Sequence, residues 1–344
     1  MKILIDLTHP SHLNVFKNAI KILSQQGHHV TVLVLKRGTL PEIAKKELSG
    51  INIITIGKRS ESLFSIVFNG NLLRFIKIFF FVLNHKAQLG LSIGGFLLGA
   101  ALKIFGIPNL QFDDDVERKW EMLLEKLTCS RLYLPPIVKP REKTHFFNGP
   151  LEWAHLSPKY FSPREKALKD YNLKPKNYIF IREIKTNTIN YRHQKPDIIA
   201  DFAQAIPENL TVVLSLEDKS KKKYYPRHWI ILEEPVNDIH SLMYFSKLVI
   251  SSGDSMAREG ALLGVPSIYC GFRQMAINKF VEEKSMFYHL NPQQVTEFLG
   301  HVMAGVVTLL DQDILRQKLF QEWEDVTELI VNESQKYKNS SAKK

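Results

Sequence analysis

Short apolar runs alternate with stretches of helical period along most of this chain. KILIDL is the first run, and HLNVFKNAIKIL then places Leu13, Phe16, Ile20 and Leu23 on one helical face. Gly27 closes that helix, and the β-branched HHVTVLVL reads as a strand. The rhythm continues with a helix near 40–48 and INIITI, then a long helix near 62–85 and LGLSI. A helix near 96–105 and NLQF follow, and then a helix near 117–127 and RLYL. Strand–helix alternation of this kind predicts a parallel sheet with helices on both faces.

Residues 135–163 interrupt the rhythm with the Pro- and aromatic-rich PPIVKPREK and NGPLEWAHLSPKYFSP, which read as an interdomain connection. Alternation restarts with YIFI, a helix near 195–205, LTVVLSL, WIIL, a helix near 238–246, LVIS, another helix and SIYC. Two doubly wound α/β domains are expected, 1–150 and 151–310. A long helix near 311–336 packs back on the first, and the tail at 337–344 is expected to be disordered. Sheets of this type bind ligands beyond the carboxyl ends of their strands, so chemistry is expected there, in a cleft that the two sheets face.

A length of 344 residues suits two domains, and 44% apolar content gives each a core. Cys129 and Cys270 stand far apart, which predicts buried thiols in a reducing cytoplasm rather than a disulfide or a zinc site. MKILID starts as a strand without a signal-peptide core. The net charge of +11 is uneven: residues 1–150 hold 20 Lys and Arg against 11 Asp and Glu, and the remainder 26 against 24. A basic half suits nucleic acid, anionic lipid or phosphorylated substrates. The basic residues are scattered, with no RNA-binding signature, so a nucleic-acid partner is not expected.

SSGDSMAREGALLGVPSIY, residues 251–269, holds the densest candidate chemistry. A small polar turn, Gly253, Asp254, Ser255 and Met256, leads from a strand into a helix, whose N-terminus favours phosphate. Glu259 is placed to accept hydrogen bonds from a pair of sugar hydroxyls. The alternative is an ordinary capped helix.

GDSMAREGALLGVP is similar to the nucleotide-sugar motif of the superfamily of GT-B glycosyltransferases and UDP-N-acetylglucosamine 2-epimerases. The chain as a whole resembles a bacterial and archaeal family of unknown function described as predicted glycosyltransferases. The matching stretches are IDLTHPSHLNVFK, IREIKTNTINY and PVNDIHSLMYFSKLVISSGDSMAREGALLGVPSIY with KSMFYHL. The resemblance implies a GT-B-like fold and transfer from a UDP-linked sugar without a metal or other cofactor. It puts Glu259 on ribose and the Gly253–Met256 turn on the diphosphate.

Four further candidates follow. Pro10, Ser11 and His12 open a helix past the first strand, with Ser11 a substrate contact and His12 a general base, His9 being its competitor. Gly94 and Gly95 would let a ligand approach the backbone closely. Asp113, Asp114 and Asp115 allow a base, a metal site or a solvated run; the resemblance favours Asp114 as an acid in the acceptor cleft, with the other two solvated. Arg182, ending YIFIR, would pair with the diphosphate.

The long helix 62–85 gathers Asn71, Arg74, Lys77, Asn84 and His85 on one polar arc, and its remaining surface includes Phe75, Phe79, Phe80 and Phe81. That predicts contact with the membrane interface, aided by Lys58, Arg59, Lys86 and Lys103; a buried core helix is the alternative. The expected protein is a glycosyltransferase of cell-surface polysaccharide assembly, cytoplasmic and peripheral on the inner membrane face, with a glycan or lipid-linked acceptor. A non-hydrolysing UDP-sugar 2-epimerase is the alternative. It is disfavoured because IREIKTN lacks the histidine that epimerases carry in the corresponding turn. An inert sugar-nucleotide binder would carry the same motif.

Overall fold

A computed structural model describes residues 1–59, 70–140, 142–186, 191, 194–233, 236 and 238–340. They form two compact units: Met1–His155 with the chain from Trp323 onward, and Leu156–Glu322.

The first unit holds a seven-stranded sheet: β1 (Lys2–Leu7), β2 (His29–Lys36), β3 (Asn52–Lys58), β4 (Leu89–Ile93), β5 (Asn109–Phe112), β6 (Arg131–Leu134) and β7 (Thr144–Phe146). The order is β3-β2-β1-β4-β5-β6-β7 and every pairing is parallel. The second unit holds β8 (Tyr178–Glu183), β9 (Thr211–Leu216), β10 (Ile230–Ile231), β11 (Leu248–Ser251), β12 (Ser267–Tyr269) and β13 (Phe287–His289). They pair in parallel in the order β10-β9-β8-β11-β12-β13. Each sheet reverses direction once, between β1 and β4 and between β8 and β11. The loops after those four strands therefore diverge at the switch points, where sheets of this kind bind their ligands.

Strands covered on both faces must be apolar throughout, and Ile3, Leu4, Ile5 and Leu7 are fully buried. On one side of the first sheet, Leu4, Leu33 and Ile56 meet Ile78 and Val82 of the Leu73–His85 helix and Leu98 and Leu102 of the Phe96–Ile104 helix. In the second unit Ile179, Ile181, Leu214 and Ile250 meet Ile199, Phe202 and Leu299. Both cysteines are free thiols and buried.

Several elements differ from the sequence reading. The helix expected at 311–336 is two helices, Gln312–Glu322 and Val326–Ser340. Trp323 breaks it by turning inward to meet Trp153 edge-on, with ring centroids 5.2 Å apart. The Asp325 carboxylate then accepts from the Glu328 N–H and starts the second helix. That helix packs on the Pro10–Gln25 helix, so the first half of the expected disordered tail, 337–340, is helical. Residues 341–344 lie outside the described residues. The connection at 135–163 contains β7, a fully parallel strand.

Of the long helix expected at 62–85, residues 62–69 lie outside the described residues, and Leu73–His85 is helical. Arg74 does not belong to a solvated arc. It is 4% exposed, passes over Gly57, and donates to Asp6 Oδ1 at 2.5 Å and to the Ile56 carbonyl at 3.2 Å. Lys77 and Asn84 are exposed as expected.

Candidate functional site

In the second unit, β11 ends in Ser251 and the chain turns through Ser252 and Gly253 into the Asp254–Leu262 helix. The turn is held from three sides. Ser252 N–H donates to the Arg182 carbonyl, Ile184 N–H donates to Ser252 Oγ at 3.0 Å, and Gln194 Nε2 donates to the Ser252 carbonyl at 2.8 Å. Gly253 is the N-cap and supplies no side-chain bond to the first turn; a Cβ there would lie 2.7 Å from Ile184 Cγ2. Glycine is therefore required for the β8 and β11 loops to meet. Beneath them Glu183 accepts from Ser252 Oγ at 2.5 Å, from the Ile199 N–H at 2.7 Å and from Tyr225 Oη at 3.2 Å. Burial nevertheless pushes its carboxyl up to about 7.

The helix start divides its residues between structure and solvent. Asp254 is 1% exposed, and its carboxylate faces Tyr191 Oη, Arg258 at 3.4 Å and Arg273 at 3.5 Å. Burial opposes its ionisation, but Arg258, Arg273 and the Tyr191 hydroxyl outweigh it and hold the pKa below the usual carboxylate range. The Asp254 side chain thus anchors the helix, and only its backbone is left for a ligand. Ser255 and Met256 are the partly exposed residues of the first turn. Glu259, further along, is 6% exposed, with Oε2 at 3.3 Å from His240 Nε2. His240 lies on the Ile239–Tyr244 helix, which leads into β11. Sequence reasoning gave it no role, although DIHSL falls in a stretch quoted for the resemblance.

Arg182 was expected on a diphosphate and is placed otherwise. Its guanidinium reaches sideways to β9, donating to Ser215 Oγ at 2.6 Å and to Glu217 Oε1 at 2.5 Å. Its carbonyl accepts from the Ser252 N–H of the β11 turn.

In the first unit, β1 leads through Thr8 and His9 into the Pro10–Gln25 helix. The structure separates the two histidines. His9 Nδ1 caps the helix, accepting from the Ser11 N–H at 3.2 Å and lying 2.8 Å from Ser11 Oγ. Ser11 is thereby tied to the cap. His12 is partly covered, its Nδ1 3.3 Å from Thr8 Oγ1 and 3.5 Å from the Thr8 N–H. Its crowded surroundings, and then His9, Arg118, Arg37 and Arg74, push its pKa well below 6.5. The ring is neutral at neutral pH. With Nδ1 engaged by Thr8, Nε2 is the nitrogen available for proton transfer.

At the other side of this switch point, Gly94 adopts φ +57°, and a Cβ there would meet the Arg118 guanidinium at 3.2 Å. Gly95 caps the Phe96–Ile104 helix, against Ser92. The space beside both glycines is taken by the protein's own side chains.

Of the three aspartates, Asp113 and Asp115 are buried rather than solvated. Arg118 bridges them, with 2.9 Å contacts to each, and Asp113 Oδ1 also accepts from the Asp114 and Asp115 N–H groups. A guanidinium inside the cluster disfavours a cation there. Asp114 is the partly exposed member. Glu125 lies fully buried beside them; burial and then Asp113 drive its pKa well above 4.5.

The family model described as a protein of unknown function, DUF354, matches residues 1–339. The chain belongs to this family. An uncharacterized protein of Methanocaldococcus jannaschii is 22% identical over 327 residues, covering 89% of this chain and 94% of its own. Among solved structures, the UDP-GlcNAc 2-epimerase of Methanocaldococcus jannaschii in complex with UDP-GlcNAc and UDP superposes with a TM-score of 0.70 at 13% identity, over 96% of this chain and 99% of its own. The glycosyltransferase VinC in complex with DTDP does so at 0.65 and 12%, over 98% and 100%. This DUF354 member therefore has the α/β fold shared by GT-B glycosyltransferases and UDP-GlcNAc 2-epimerases. The family of unknown function expected from the sequence is thus borne out, as is the expected fold. Among the described residues, no helix is long and apolar enough to cross a membrane.

Proposed function

We propose that the protein is a glycosyltransferase that moves a sugar from a nucleotide diphosphate, UDP in the first instance, to a hydroxyl of a glycan or lipid-linked acceptor. The reading places it in cell-surface polysaccharide assembly, on the cytoplasmic side of the membrane. The observation that carries it is the β11 turn. A helix N-terminus with Gly253 as its cap opens at the switch point of the sheet, and Glu259 is held beside it by His240.

In this reading the diphosphate lies on the Gly253–Met256 backbone, where the helix dipole stabilises the charge that develops as it leaves. Glu259 accepts from the two ribose hydroxyls, with His240 fixing its orientation. The acceptor oxygen bonds to the anomeric carbon as the bond to the diphosphate oxygen breaks, and His12 Nε2 takes the hydroxyl proton. That role requires the tautomer with its proton on Nδ1, donated to Thr8 Oγ1 at 3.3 Å in place of the 3.5 Å bond that Nδ1 accepts from the Thr8 N–H. Asp114 is proposed as the acidic group on the acceptor side. Asp254 and Arg182 act as supports of the turn rather than as ligands. No metal is required by this reading.

A UDP-sugar 2-epimerase is the second reading, favoured by the solved epimerase that shares the fold along nearly the whole chain. It needs acid and base groups on one sugar carbon, and the loop after β8 begins Ile184-Lys185-Thr186 without a histidine.

Calorimetric titration with UDP, GDP, dTDP and UDP-GlcNAc tests the donor site. One nucleotide is expected to bind, and Glu259→Ala is expected to weaken it about tenfold or more, at least about 1.4 kcal/mol. Failure of every nucleotide to bind, or equal binding by the variant, would remove the proposal. Transfer to an added acceptor, against interconversion of free UDP-sugars, separates the two enzyme readings.

A further inference from the structure

The Lys119–Thr128 helix is inside-out. Its exposed large apolar residues are Trp120, Leu123, Leu124 and Leu127, at the i, i+3, i+4, i+7 spacing that normally marks a core face, while the carboxyl of Glu125 is buried. Trp120 is 77% exposed. The Leu73–His85 helix carries a second outward stripe, Leu73, Ile76, Phe80 and Leu83, roughly opposite its buried stripe of Arg74, Ile78 and Val82 at ~100° per residue. The Phe96–Ile104 helix lies between the two and packs against both, with Ile104 60% exposed at its end. Lys103 Nζ donates to the Leu127 carbonyl at 2.6 Å and ties the second and third helices together. Three neighbouring helices of one unit thus turn large apolar side chains outward, which single scattered exposures do not do.

The charge around these stripes decides what covers them. From residue 62 to 112 the chain has no aspartate or glutamate, while Arg74, Lys77, Lys86 and Lys103 fall in that span. Lys77, Lys86, Lys103 and Lys119 are exposed at or beside the apolar stripes. The first two helices carry no acid, and at the third Glu117 and Glu121 flank Trp120 beside Lys119. Apolar side chains with a tryptophan at their edge and a surplus of lysines match the acyl–headgroup boundary of an anionic leaflet. A second copy of the chain would set these lysines against their own kind.

We infer that the outward faces of the Leu73–His85, Phe96–Ile104 and Lys119–Thr128 helices form a docking surface for an anionic lipid bilayer. The surface supplies the membrane attachment that the proposed function assumes, but its argument does not depend on the sugar chemistry. The apolar side chains enter the interface, and the lysine ammonium groups remain level with the lipid phosphates. No helix needs to span the bilayer.

Sedimentation of the full chain with phosphatidylcholine vesicles, with and without phosphatidylglycerol, tests the surface. The protein is expected to sediment with the anionic vesicles and to be released by salt. Phe80→Glu combined with Trp120→Glu is expected to weaken the partition about tenfold or more. Lys77→Glu with Lys86→Glu should do the same through charge, in a variant that keeps the apolar stripes and the bond from Lys103 to Leu127. Trp153, Trp229 and Trp323 are buried, so a blue shift of emission on adding vesicles reports Trp120 entering the interface. Thermal melts of all variants exclude misfolding.

No sedimentation with anionic vesicles, or partition unchanged in folded variants, would overturn the inference. So would a dimer in light scattering that Phe80→Glu dissociates while no lipid binds, which would assign the surface to a second copy. UDP titration of the same samples separates loss of this surface from loss of the donor site.

Discussion

Two ionisable residues concentrate the consequences at the level of single side chains. Glu183 is buried under the β11 turn with its pKa raised from 4.5 to about 7. An unfolded chain ionises this group near 4.5, so its contribution to stability is full below that value and is lost as pH rises through about 7. Glu183→Gln keeps the shape and removes the charge. Its melting temperature relative to the native chain is expected to rise between about pH 5 and about pH 8, by the equivalent of up to about 3 kcal/mol. A pH-independent difference would show that Glu183 is not neutralised by folding.

His12 shifts in the opposite direction. Its lowered pKa keeps the ring neutral, and basic, into mildly acidic solution. His12→Gln is expected to lower transfer turnover by about 10² to 10⁴ while leaving nucleotide affinity nearly unchanged. The native pH–turnover profile should bend below 6.5. A limb above that value would point to a different base.

Among the elements, the Leu73–His85 helix shows how one buried pair can fix a helix on a sheet. Arg74 reaches over Gly57 to Asp6 on the central strand and spends a second donor on the Ile56 carbonyl. The pair is enclosed, so removing one partner strands a charge in the core. Arg74→Ala is expected to cost about 3–5 kcal/mol in denaturant unfolding, and replacing both Arg74 and Asp6 by apolar residues to recover much of that. Equal losses in the single and double variants would mean that packing volume, not the stranded charge, dominates. The Gln312–Glu322 and Val326–Ser340 helices make a related point. Nearly continuous helical sequence is divided where Trp323 gains more from burial against Trp153 than an unbroken helix offers.

Across the whole molecule, the same construction appears twice: a parallel sheet, helices on both faces, and one reversal of strand order. In each unit the small and polar turn residues lie where strand order reverses, at 8–12 and 94–95 in the first and at 251–256 in the second. The charge is not repeated. The first 150 residues hold a surplus of nine positive charges, and the acid-free span from 62 to 112 falls there. The exposed apolar stripes belong to that same unit, so a basic, apolar surface and the motif-bearing turn sit on different units.

The sequence by itself determined the alternation of strands and helices, the parallel sheets, and the location of the polar turns at strand ends. Those features follow from local periodicity and from the demand that strands covered on both faces be apolar. GDSMAREG was legible for the same reason, since a strand, a glycine turn and a helix are contiguous in the chain. Only the tertiary structure decided which charged residues face outward. Arg74 reads as part of a polar arc until Asp6 supplies a buried partner from a distant segment. Asp113 and Asp115 read as a solvated run until Arg118 folds between them. Arg182 points to Glu217 rather than to the turn, because strand pleating and register with β9, not its place at a strand end, set its direction. His9 and His12 are likewise told apart only in three dimensions, where one ring caps a helix and the other is crowded by arginines from three other segments.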